Sequence, residues 1–221
     1  EIVELRRIGF RFIALADDNF YPVTLEDLEM ASRRKDPRQL HELEAIRAER
    51  FELMEQLSRL PKDLIFFTQI TMEAAQDSEF LRAMKKARVR GALVGVESVT
   101  PDGLKDIYKE FNVAGDELVE RLRQFRHNGV AVLGSFIFGL PSDRADTFSA
   151  TVDLAQRSEV SFAQFVMLTP LPGTIDFKRW EEEVAGKEAL VNGIPLTRYW
   201  LIPPSDRPKV YMPHPSMSSE E

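Results

Sequence analysis

The sequence contains no cysteine. That absence excludes disulfides, thiolate nucleophiles, and zinc or iron–sulfur centres ligated by thiolates of this chain. Long apolar runs are missing as well. Nothing approaches the roughly 18–20 consecutive apolar residues of a membrane-spanning helix, and the N-terminus lacks the charged-then-apolar order of a signal peptide. Histidine is scarce: His41, His127 and His214 are the three, too far apart to make a ligand-spaced pair, and each reads as structural or solvent-facing. An excess of basic residues is also lacking. The net charge is −7 with the signs interspersed, which argues against a nucleic-acid backbone as the main partner. What remains is a cytoplasmic enzyme or binding domain with no membrane span.

What is present is enough apolar material, 43% of 221 residues, for one core with an appendage. Apolar runs at Phe10–Ala16, Leu64–Ile70, Ala92–Val96, Val132–Phe138 and Phe162–Leu168 read as strands, and amphipathic stretches alternate with them. The order is that of a parallel α/β sheet. Leu118, Leu122 and Phe125 recur at i, i+4 and i+7, as do Phe148, Val152 and Ala155, and each set marks the inner face of a helix. Asn128-Gly129 is a helix stop. The strands are almost continuously apolar, which suggests burial on both faces beneath helices. Either a βα barrel or an open doubly wound sheet satisfies this.

About fifty residues separate the first two strands, and a charged stretch over about 30–61 reads as an inserted helix. Leu43, Ile46, Leu53, Leu57 and Leu60 fall on its apolar stripe, while Arg33-Arg34-Lys35 and the Glu/Arg-rich face read as solvated. The texture changes from Gly186 onward, where prolines at 195, 203, 204, 208, 213 and 215 break helices and central strands. Residues 186–221 therefore read as an extended extension packed on a main domain of residues 1–185.

Strand ends carry the chemistry in parallel α/β folds, and here they are polar beyond what a core requires. The first strand runs into Asp17-Asp18-Asn19, the second into Thr68-Gln69, the third into Glu97-Ser98 and the fifth into Thr169-Pro170; the fourth ends in Gly139-Leu140-Pro141. Carboxylates at Asp17, Asp18 and Glu97 suit a ligand's ammonium group or ribose hydroxyls. Structural duties suit the same residues: Asp17 or Asp18 can cap a turn, Ser98 or Thr100 can cap a helix beginning at Pro101, and Ser142 can cap the helix after the Gly-Leu-Pro turn. Both readings stand at this point. Two other classes also stay open, a barrel hydrolase or lyase using the acidic residues and a non-catalytic ligand-binding or scaffold domain. No catalytic residue can be assigned.

Four segments in order, FIALADDNFY, GALVGVESVTPDGLKDIYKEFN, LGSFIFGLPSDRADTF and the later LTRYWLIP to PHPSMSSEE stretch, resemble radical S-adenosylmethionine enzymes. The likeness spans roughly residues 8 to 180 and is nearest the branch associated with a cobalamin-binding domain. It implies a partial (β/α)6 barrel of the TIM type, about five parallel strands here with the first strand missing. It also implies an iron–sulfur oxidoreductase or methyltransferase that generates a 5′-deoxyadenosyl radical from S-adenosylmethionine (SAM) at a 4Fe-4S cluster, with cobalamin in some members. Carried over by motif, Asp17, Asp18 and Asn19 meet the methionyl amino group. Glu97 and Ser98 lie by the ribose and carboxylate. Gly134, Phe138, Gly139 and Pro141 belong to the segment that flanks the adenine, and Gln69 and Thr169 face the substrate. The three-cysteine loop that holds the cluster is absent from this chain. Either a degenerate homologue or a piece of a longer chain would lack it; the resemblance favours a truncated, inactive fragment with no bound cofactor, whose first edge invites a homodimer. Two details fit truncation: Glu1–Leu5 resembles a helix end, and Ser218 with Glu221 spells a capping box.

Overall fold

The computed structural model describes residues 1–109, 112 and 114–217. A short helix α1 (Ile2–Arg7) leads into β1 (Phe12–Ala14), followed by α2 (Leu25–Arg33) and the long α3 (Pro37–Arg59). Next come β2 (Ile65–Ile70), α4 (Ser78–Lys86), β3 (Val89–Glu97), α5 (Pro101–Asp106) and α6 (Gly115–His127). The chain then forms β4 (Ala131–Phe138), α7 (Ala145–Arg157), β5 (Phe162–Met167) and α8 (Ile175–Val184).

The five strands form one sheet in the order β1-β2-β3-β4-β5, and every neighbouring pair is parallel. Each strand lies beside its predecessor, so the order never reverses, and the doubly wound alternative falls away. The sheet is a curled half-barrel with its helices on one side. Strand alternation shows which side is which. Ala92, Val94 and Val96 on β3 and Val132 and Phe136 on β4 are buried under the helices, whereas Leu93 and Gly95 pair with Leu133 and Ser135 on the other, half-exposed face. Burial on both faces, expected from the continuous apolar strands, is thus found on one face only. Strand β5 is bare even on its helix side, with Phe165 50% exposed.

Helix α6 buries Leu118, Leu122 and Phe125 as its period predicts, and Asn128 caps it before Gly129 at φ +78°. On α7 the inner face is shifted: Thr147, Thr151 and Leu154 are buried and Val152 is 50% exposed. The mispredicted face comes from two threonines whose polarity hides their burial. Thr151 meets that polarity by donating its hydroxyl to the Thr147 carbonyl at 2.7 Å. The 30–61 insertion is two helices rather than one. Its stripe also differs, because Met54 and Leu57 are buried while Ile46 and Leu53 stay over a third exposed. Arg33, Arg34 and Lys35 are solvated as expected. Arg47 and Arg50 instead turn inward, with side chains 14% and 17% exposed.

A second apolar cluster gathers Phe177, Trp180, Tyr199 and Ile202, joining α8 to the proline-rich extension. That extension is more structured than an extended strap: β6 (Leu190–Val191) and β7 (Ile194–Pro195) form an antiparallel hairpin, followed by 3-10 turns at Leu196–Leu201 and Pro204–Asp206. The Ser218–Glu221 capping box lies outside the described residues. No helix among the described residues is long and apolar enough to cross a membrane.

Candidate functional site

The carboxyl ends of β1 to β5 form one rim, and the polar strand ends follow along it in strand order. Asp17 is already engaged there. Its carboxylate accepts from Arg50 of α3 at 2.5 Å, and the guanidinium also lies over the Phe20 ring, 4.7 Å from its centroid. Asn19 is consumed by the backbone, its amide bonding both the N–H and the carbonyl of Tyr21 and the N–H of Thr71. Asp18 and Gln69 are exposed at the same corner.

Behind this corner the Asp77 carboxylate, 3% exposed, accepts from the Tyr21 hydroxyl at 3.0 Å, pairs with Arg47 at 2.6 Å and caps α4 through the Phe80 N–H. Burial first, then the adjacent Asp77 charge, pushes the Tyr21 phenol well above its usual range. This network locks α3 and α4 to the β1 end of the rim.

At the centre of the rim, Glu97 ends β3 with φ +68° at a bulge where the β3–β4 register shifts. The carboxylate folds back over Gly95, where an added Cβ would sit 2.5 Å from Oε1 and push the carboxylate aside. Glu97 is 13% exposed in its side chain and pairs with Lys109 at 2.5 Å. Ser98 is buried and turned toward α5, with its Oγ 3.3 Å from the Thr100 hydroxyl. Thr100 is the residue that caps α5, accepting from the Gly103 N–H at 3.1 Å.

On β4, Gly134 lies within the strand on the helix-covered side, under the Phe136 ring. Phe138 packs between Phe148 of α7 and Phe165 of β5, with centroids 4.8 and 5.5 Å away. Gly139 has φ +91°, and its N–H and that of Leu140 donate to one oxygen of Asp143, at 2.8 and 2.9 Å. The turn is therefore stapled by a carboxylate that is 1% exposed. Burial raises the Asp143 carboxyl above its ordinary value, and those two N–H groups pull it back down. Helix α7 is capped by Thr147, which accepts from the Arg144 N–H, rather than by Ser142.

Pro141 and Thr169 share a cleft of about 380 Å³, which continues along Leu168, Leu171 and Trp180 to Met212 of the extension. Two bonds from the extension hold its far wall: His214 Nε2 donates to the Leu140 carbonyl at 2.8 Å, and the Tyr199 hydroxyl to the Pro170 carbonyl at 3.3 Å. The expected rim residues are thus strung along one edge, but only its β4–β5 end opens into this cleft.

Over 119 residues the chain is 30% identical to the uncharacterized methyltransferase PH0819 of Pyrococcus horikoshii, covering 54% of this chain and 24% of that protein. It is also 30% identical over 135 residues to the bacteriochlorophyllide d C-12(1)-methyltransferase of Chlorobaculum tepidum, covering 60% of this chain and 28% of that enzyme. Among solved structures it superposes on the radical S-adenosylmethionine methyltransferase TsrM of Kitasatospora setae, which holds cobalamin and a [4Fe-4S] cluster. The TM-score is 0.63 at 18% identity, over 89% of this chain and 34% of TsrM. The structural likeness shows the expected partial-barrel fold, and both sequence relatives are methyltransferases, in keeping with the resemblance. No family model matches the chain, which spans about a quarter of the length of the curated relatives it matches.

Of the rim carboxylates Asp18 is exposed, whereas Glu97 is 13% exposed and already paired with Lys109. The cluster does not fit this chain. It requires thiolates, the sequence has none, and among the described residues no group of three or more His, Asp or Glu is placed to hold a metal ion. Sequence reasoning missed Asp143, Lys109, Arg50 and the His214 anchor. The signal for Asp143 was available: an acid at fixed distance behind Gly139-Leu140-Pro141 can reach the bare amides of a positive-φ turn. Nothing local marked the others, whose partners lie 12 to 74 residues away.

Proposed function

We propose that this chain is the S-adenosylmethionine-binding half-barrel of a cobalamin-associated radical methyltransferase acting on a small molecule in the cytoplasm. The observation that supports it best is the Glu97 cradle. A carboxylate is held at positive φ over a glycine, in the middle of a rim formed by five adjacent parallel strand ends, in a chain similar to such methyltransferases. In this reading Asp18, with Asp17 and Asn19 shaping the turn, receives the methionyl amine, and Glu97 receives the ribose. Ser98 holds the α5 turn beside it. The β4 backbone from Gly134 through Phe138 to Gly139 and Pro141 borders the adenine, and Gln69 and Thr169 face the substrate. When bound, the cofactor system supplies radical and methyl-transfer chemistry, while this chain orients and shields. The cluster ligands belong to a part of the polypeptide that this sequence does not contain, and a homodimer across the β1 edge or through α3 is part of the proposal.

The test is a titration of S-adenosylmethionine into the chain, followed by backbone amide shifts. Weak binding is expected, with shifts at Asp18, Glu97, Gly139 and Leu140; shifts confined to other surfaces, or none at millimolar ligand, would sink the reading. In a cluster-bearing longer polypeptide, Glu97→Gln should weaken binding by roughly 1.5–3 kcal/mol, the worth of a hydrogen bond to a charged group, with the melting temperature almost unchanged. A lowered melting temperature with unchanged affinity makes Glu97 structural. Static light scattering checks the dimer, and a strict monomer removes it.

A further inference from the structure

We infer that the cleft at the β4–β5 end of the rim binds a small organic cation with an apolar ring or chain. Its volume of about 380 Å³ lies within the roughly 300–1,000 Å³ of small-molecule sites. The interior is apolar, made by Leu140, Leu168, Leu171, Met212 and Trp180, the last only 4% exposed. Three chain segments distant in sequence build these walls, and the His214 and Tyr199 bonds fix the extension against the two strand-end turns. The cleft is therefore formed before any ligand arrives, which lowers the ordering cost of binding.

The mouth sets the sign of the ligand. Asp106, Asp176 and Glu183 stand there against Arg179 as the sole basic lining residue among the described residues. Arg179 already donates to the Tyr108 hydroxyl at 3.1 Å and lies 3.8 Å from Asp176, so it answers at most one of the three acids. Asp106 accepts from the Ser142 N–H at 2.8 Å, a bond that positions its charge without neutralising it. An anion meets repulsion here, a neutral ring gains only apolar contact, and a ring bearing an ammonium group gains both. That such a ligand is the methyltransferase substrate rests on the reading proposed above; that it binds does not.

The experiment uses the chain carrying Trp200→Phe, which leaves Trp180 as the single tryptophan of the original two. Phenethylamine, phenethyl alcohol and phenylacetate are titrated while Trp180 emission is followed. Phenethylamine is expected to bind saturably and about fivefold tighter than the alcohol, the worth of one charge contact in water, with phenylacetate silent over the same range. Asp176→Asn with Glu183→Gln, both at exposed positions, should bring the amine down to the alcohol's affinity. Leu171→Lys, at a residue 58% exposed, should abolish amine binding and admit phenylacetate. Equal affinity for the three probes, no saturable change, or an amine preference that survives the double substitution overturns the proposal. S-adenosylmethionine is absent from this titration, so its failure removes the cleft assignment alone, and the amide-shift experiment judges the rim reading separately.

Discussion

The two ends of the rim are built on opposite terms. At the β1–β3 end nearly every polar side chain is held by another part of the protein: Asp17 by Arg50, Asn19 by Tyr21 and Thr71, Glu97 by Lys109, Ser98 by Thr100. At the β4–β5 end the turns themselves are stapled, by Asp143 and by His214, and the surface between them is left open and apolar. The difference teaches that a polar strand end is not by itself a free binding group. Where a long charged insertion packs behind the rim, its Arg50 reaches over and takes the Asp17 carboxylate. Where the cover comes from a short extension bonded to turn carbonyls, space remains.

The largest effect is expected for Asp77→Ala, which strands the Tyr21 hydroxyl in the interior and leaves Arg47 only Glu79 at 3.8 Å. A loss of about 3–5 kcal/mol in urea unfolding is expected, as for removing one partner of a buried pair, while the folded fraction keeps its affinity for phenethylamine. A loss below about 1 kcal/mol would mean that the network does not pin the β1 end. Next in size is Gly103→Ala, whose new Cβ would lie 2.1 Å from the Ser98 hydroxyl oxygen. Overpacking of this kind costs about 1–3 kcal/mol, and an unchanged denaturation midpoint would contradict the placement of Ser98 against α5. Arg50→Met should cost about 1 kcal/mol, combining a partly exposed ion pair and a cation–π contact. The melting difference should shrink in high salt, and its persistence at 1 M salt would show that packing rather than charge holds Arg50.

The smallest effect concerns Asp143. Its folded-state carboxyl titrates above the ordinary value because of burial. The stability this contributes is therefore full below about pH 4, the unfolded value, and is lost as pH rises through the raised folded value. Asp143→Asn keeps an acceptor for the Gly139 and Leu140 amides and cannot ionise, so stability relative to the parent should improve as pH rises through that window. A pH series of unfolding midpoints reads this directly, and parallel curves for the two chains would refute it.

The fold was legible where periodicity and burial coincide. Strands β1, β2 and β5 lie within their apolar runs, β3 and β4 overrun theirs, and α6 turns inward the face its spacing names. Legibility failed where burial is carried by polar atoms: Thr147 and Thr151 on α7, and Arg47 and Arg50 on α3, are interior because a partner satisfies them, and that partner is far off in sequence. The rim residues were readable as a set, since strand ends are marked by where apolar runs stop. Their engagement was not, because Arg50 and Lys109 are ordinary surface residues until the fold brings them to Asp17 and Glu97. The cleft was invisible for a related reason, with Leu168, Trp180 and Met212 meeting only after α8 and the extension have packed.

Glu97 occupies backbone that suits glycine. A non-glycine residue in the left-handed region carries roughly 1–2 kcal/mol of steric cost, and glycine there would relieve it, at the expense of more chain entropy in the unfolded state and of one part-exposed ion pair. These terms nearly cancel, so replacing Glu97 by glycine is close to neutral for folding. Under the cofactor reading proposed above, folding and recognition are thereby uncoupled at this one residue: a chemist can remove the carboxylate with glycine and read the change in binding without first correcting for a change in the amount of folded protein.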